Sequence, residues 1–98
     1  MRLPTTRQLR YFAALAEHEH FGRAAEACHV SQSAFSVGIR DLERLLGVQL
    51  VDRTNRQVTL TALGREVAAQ ARLCLGDLEA LVEMARGEQE PLSGPLRL

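Results

Sequence analysis

Gln32, Ser33, Ser36, Arg40 and Arg44 recur at helical spacing, and together they offer an amide, two hydroxyls and two guanidinium groups along one flank. That set suits the groove of a nucleic acid. A glutamine amide pairs with adenine N6 and N7, a serine hydroxyl donates or accepts, and arginine grips phosphate or guanine. Val37 lies on the same flank, where it is able to meet a thymine methyl. The opposite side carries Phe35, Ile39, Leu42 and Leu46, an apolar stripe that packs. An ordinary amphipathic helix with a solvated polar face shows the same two sides, so both readings stand at this point.

The stretch also has ends. Ser31 is placed as an N-cap, Val30 and Phe35 sit where a hydrophobic staple closes, and Gly47 suits a left-handed stop. Upstream, Thr5 and Gln8 are spaced as a capping box, with Thr6 as the alternative cap. The first helix then shows Leu9, Phe12, Ala13 and Ala16 as its buried stripe, leaves Tyr11 and Leu15 on another side to meet a second element, and frays in Glu17–His20. Phe21, Ala24, Ala25 and Cys28 mark a short second helix. Only two residues part Cys28 from Ser31, so the second and third helices form a helix-turn-helix over about 21–40.

Past Gly47, apolar residues at Val48, Leu50, Val58 and Leu60 flank the polar run Asp52–Gln57. This predicts a short hairpin over about 48–60 with Arg53 and Arg56 at its tip, a wing beside a reading helix. Thr61 caps a last helix from Ala62 to about Gly87. Leu63, Val67, Ala71, Cys74, Leu78, Leu81 or Val82, and Ala85 keep a seam along it, flanked by Leu73, Leu75 and Met84. Contact with its own domain accounts for two turns at most; beyond them the stripe calls for a partner chain. Pro91, Gly94 and Pro95 then interrupt structure, and Leu96–Leu98 looks like the start of a strand, as at a cut just inside a second domain. The expected division is 1–61, a winged helix-turn-helix; 62–87, a dimerisation helix; and 88–98, a hinge.

Composition sets bounds on function. The 98 residues are 46% hydrophobic with a formal net charge of zero, which by itself argues mildly against nucleic acid. The balance conceals a basic head, since arginines outnumber acids by two up to Thr61, and an acidic tail with the reverse excess from Ala62. Two cysteines, Cys28 and Cys74, in apolar helical patterns suit reduced, buried thiols. The sequence shows no signal peptide and no membrane span, so the expected location is the cytoplasm. His18, His20, Cys28 and His29 include zinc-ligating types, but Cys28 belongs to an apolar stripe, and no metal or other cofactor is expected. The composition supplies no nucleophile–base set and no glycine-rich phosphate loop, which argues against an enzyme. A coiled-coil dimerisation module is the better rival, although it leaves the arginine-tipped hairpin without a purpose.

Phe12, Ala24-Ala25, Val30-Ser31-Gln32, Ser36, Ile39, Leu42-Glu43, Leu46-Gly47, Leu50, Arg53, Arg56, Leu60-Thr61 and Gly64 together resemble the N-terminal domain of LysR-type transcriptional regulators. Within that family, Ala16-Glu17-His18, His20-Phe21, Arg23-Ala24-Ala25, Cys28–Gln32 and Ser93–Leu96 look most like the OxyR-type hydrogen-peroxide sensors. The resemblance implies a mainly α fold of three helices, a two-stranded wing and a long linker helix. It also implies a pseudo-palindromic duplex operator, a homodimer through the linker helix, and a tetramer in the full-length regulator. Gln32, Ser33 and Ser36 would read bases, and Arg53 and Arg56 would hold the wing on the backbone. The candidate DNA-contact set is Arg23, Ser31, Gln32, Ser33, Phe35, Ser36, Val37, Arg40, Arg53, Thr54, Asn55 and Arg56. Ser33, Val37 and Val51 depart from residues common in the family at their positions. A regulator answering to a small-molecule effector is the alternative to peroxide.

Overall fold

Thr5 caps the first helix: its hydroxyl accepts from Gln8 N–H at 3.1 Å, and its own N–H donates to Gln8 Oε1 at 2.9 Å. This capping box starts α1, Thr6–His18, which stops where Glu19 turns left-handed at φ 53°. The computed structural model describes residues 1–53 and 58–89. After α1 come α2, Phe21–Ala27, and α3, Gln32–Leu46; strands β1, Val51–Asp52, and β2, Thr59–Leu60, pair antiparallel with Val51 opposite Leu60. The long α4, Ala62–Gln89, ends the described chain. Thr54, Asn55, Arg56 and the segment 90–98 lie outside the described residues, and so does the expected start of a further strand.

One core joins the first three helices to the wing. Tyr11, Phe12 and Leu15 of α1 meet Ala24 and Ala25 of α2, Phe35, Ile39 and Leu42 of α3, and Leu50, Val51 and Leu60 of the hairpin. The Phe35 ring lies 5.1 Å from Tyr11 and meets Phe21 edge-on at 5.8 Å. The two buried alanines let α2 come close to its neighbours. Tyr11 and Leu15 therefore belong to the main core, and the stripe expected on Leu9, Ala13 and Ala16 is its half-buried margin. Leu46 is 37% exposed and stands outside the core, because the chain turns away at Gly47 immediately afterwards.

α4 lies along its own domain for longer than two turns. Gly64, Ala68 and Ala71 are buried and Leu75 half-buried, one face at helical spacing that packs chiefly on α1. Ala71, expected in the intermolecular seam, is 2% exposed and fills the head's own core; Val67 also packs against that core. Cys74, expected to be buried, is exposed. Leu63, Leu78, Leu81 and Val82 are between 42% and 60% exposed, and Ala85 is exposed as well. No described helix is long and apolar enough to cross a membrane.

Candidate nucleic-acid interface

The reading helix is held at both ends by short-range contacts. Ser31 Oγ accepts from Ala34 N–H at 3.1 Å, and Gly47 takes the left-handed conformation with φ 71°. Before it, His29 occupies a left-handed conformation at φ 61°, the position for which such turns often use glycine. This lets Val30 N–H return to Ala25 O at 3.1 Å, so two residues suffice to redirect the chain. Val30 then packs against the core that contains Phe35, consistent with the staple.

α3 presents Ser33, Val37, Arg40 and Arg44 to solvent, with Ser36 half-buried among them. Val37 is 57% exposed, free to make an apolar contact. Arg44 is held by Asp41 at 2.9 Å in an exposed pair that contributes little to stability. Phe35 leaves the contact set: with 0% exposure and two aromatic neighbours it shapes the helix from behind and touches no groove. Ser31 is exposed, but its hydroxyl oxygen is engaged as the cap.

A cleft of about 710 Å³ opens where α2, α3 and the wing converge. Arg23, Gln32, Ser36, Arg40 and Arg53, five of the expected contact residues, stand around it, together with His20 and Gly22. Three guanidinium groups on three different elements make this a site for polyanions. Arg53 has a second task. Its guanidinium pairs with Glu43 Oε1 at 2.8 Å, while Glu43 Oε2 accepts from the backbone N–H groups of Leu50, at 2.8 Å, and Val51, at 3.1 Å. One carboxylate thus ties the wing's first strand and its arginine to the reading helix.

Glu43 as a wing anchor and His20 as the cap of α2 both escape a reading by residue type. Glutamate on a helix usually signals a solvated face, and histidine lies outside the serine, threonine, aspartate and asparagine set that marks N-caps. Among the described residues no group of histidine, cysteine and acidic side chains converges as a metal site would.

Residues 6–65 match the family model described as bacterial regulatory helix-turn-helix protein, lysR family. Two similar curated relatives are each 50% identical over 92 residues, covering 94% of this chain and 30% of their own length. They are the hydrogen peroxide-inducible genes activator of Pectobacterium carotovorum subsp. carotovorum and the DNA-binding transcriptional dual regulator OxyR of Escherichia coli K12. Among solved structures, Vibrio fischeri DarR in complex with DNA superposes with a TM-score of 0.85 at 33% identity, over 92% of this chain and 30% of that one. The chain spans about 30% of the length of these relatives. With the helix-turn-helix, the wing and the long α4 all in place, the chain belongs to the LysR family of bacterial regulatory helix-turn-helix proteins.

Proposed function

We propose that these residues form the duplex-DNA-binding head and linker helix of a homodimeric transcriptional regulator that answers to hydrogen peroxide. The observation that carries DNA binding is the cleft in which Gln32 and Ser36 of the reading helix stand beside Arg23, Arg40 and Arg53. α3 would enter the major groove with Gln32, Ser33, Ser36 and Val37 toward base edges, and the arginines would hold phosphates on either side. Thr54, Asn55 and Arg56 extend the same role into the wing tip. Peroxide responsiveness rests on the relatives named for it, of whose length this chain spans about 30%. The role is that of a regulator and not of an enzyme, and its working place is the bacterial cytoplasm, where the DNA is. A pseudo-palindromic operator and a tetramer of the full-length protein follow from the same kinship. Residues 1–61 act as the reading head, 62–87 as the dimerisation helix and 88–98 as a hinge.

Salt titration tests DNA binding directly. If a dimer neutralises about eight phosphates, log K falls against log salt with a slope of about −7. An affinity that stays flat across salt would exclude this function.

A further inference from the structure

We propose that His20 is itself a DNA-contact residue, a neutral imidazole that caps α2 through Nδ1 and donates through Nε2–H to a phosphate lodged in the cleft. This rests on the DNA-binding function above and adds a contact of a different kind from those of the arginines. His20 Nδ1 accepts the backbone N–H of Arg23 at 3.0 Å. An accepting Nδ1 carries no hydrogen, so the neutral ring bears its one N–H at Nε2. That nitrogen is not the one engaged by the cap, and among the described residues no hydrogen bond engages it.

Its surroundings select the ligand. The exposed ring forms part of the cleft wall beside Arg23, Gln32, Arg40 and Arg53, where a phosphate finds positive charge from three elements. The ring is also tied in position to the base-reading amide. A Cβ placed on Gly22 would lie 3.0 Å from the His20 ring carbon Cε1 and 3.4 Å from Gln32 Oε1, so both side chains border the same small space above Gly22. On this proposal a phosphate reached by His20 would lie on the same side of the cleft as the Gln32 amide.

His20→Asn and His20→Ala separate the two roles, because asparagine is among the best N-caps but ends short of the Nε2 position. The 98-residue chain and both variants are titrated by fluorescence anisotropy onto a duplex obtained by binding-site selection and onto a random-sequence duplex. We expect His20→Asn to retain the wild-type melting temperature yet bind both duplexes about tenfold more weakly per head, the loss expected for one donor to a charged acceptor. His20→Ala should lose that affinity and thermal stability together. Proton–nitrogen correlation spectra of the imidazole supply a readout that a purely structural cap would not move: Nδ1 unprotonated in the free chain, and Nε2 shifted on adding the selected duplex. Wild-type affinity in His20→Asn, an Nδ1–H tautomer in the free chain, or an Nε2 signal unmoved by DNA would overturn the contact. Failure of the wild-type chain to bind either duplex would overturn the DNA-binding function together with it.

Discussion

Glu43 satisfies three donors with two oxygens, and with 12% of its side chain exposed it does so largely out of solvent. Removing it leaves two part-buried N–H groups and one guanidinium without an acceptor, and each such buried group costs about 1–3 kcal/mol. Glu43→Ala is expected to lower the unfolding free energy in urea by about 2–4 kcal/mol and to weaken all duplexes alike through a loosened wing. An unchanged urea midpoint would show that the wing is anchored elsewhere. At the reading surface, Gln32→Ala should cost about 1–3 kcal/mol on a selected site and blur preference at one base pair, whereas Arg40→Ala should weaken every sequence similarly. Binding to single-base-pair variants of that site distinguishes the two; equal loss of preference contradicts the assignment. Cys28 follows a different rule: burial pushes its thiol pKa up, and the nearby Arg10 charge draws part of that shift back. Its thiolate is therefore scarce at neutral pH and increases as pH rises toward the raised value. In a Cys74→Ser background, iodoacetamide should modify Cys28 more slowly than free cysteine at neutral pH, with the gap closing as pH rises, and modest peroxide should leave DNA binding unchanged. Modification at the rate of free cysteine would show a reactive thiol.

Among the elements, the ends were more legible in the sequence than the faces. Thr5 with Gln8, Ser31 and Gly47 fix their helix termini through partners three or four residues away, so a local pattern suffices to find them. The faces depend on neighbours that local spacing does not reveal. α1 packs against α2, α3 and α4 at once, and its apolar sector is wide enough that a stripe through Leu9 and Ala16 left Tyr11 and Leu15 for a second element, whereas they stand in the main core and Leu9 and Ala16 are half-buried. On α4 the inward face is made of Gly64, Ala68 and Ala71, whose small side chains give a weak apolar signal beside the large leucines of the outer one. The close approach that selects such residues is visible at Gly64, where an added Cβ would sit 2.2 Å from the Leu50 carbonyl oxygen. That oxygen is backbone and already accepts from Thr61 N–H at 3.0 Å, so it has no room to yield. Gly64→Ala is accordingly expected to destabilise the fold by about 2–4 kcal/mol, despite alanine's better helix propensity. Urea unfolding measures it, and a stabilised variant would mean that α4 does not press on the hairpin.

At the scale of the molecule, α4 makes a small head into an elongated body of 59 × 30 × 20 Å. Its 28 residues correspond to about 42 Å of helix, of which only the stretch through Leu75 rests on the head. Beyond it Leu78, Leu81, Val82 and Met84 are 43% to 69% exposed, more large apolar surface in one helix than a lone chain leaves in water without purpose. A second copy of the same helix is the self-complementary cover that a two-fold dimer provides, and Leu63 and Cys74 extend the exposed strip back toward the head. Two arginine substitutions on this helix should therefore fail in opposite ways. Leu78→Arg places a charge in the strip beyond the buried face of α4, so sedimentation should show monomers whose head melts as in the wild type, with a large loss of affinity for a palindromic duplex. Ala71→Arg forces a long cation into the head's own core, so the head itself should unfold, with loss of helical circular dichroism at a temperature where Leu78→Arg remains folded. A Leu78→Arg chain that sediments as a dimer would place the seam on another face of α4, and an Ala71→Arg chain that stays folded but becomes monomeric would return Ala71 to the seam.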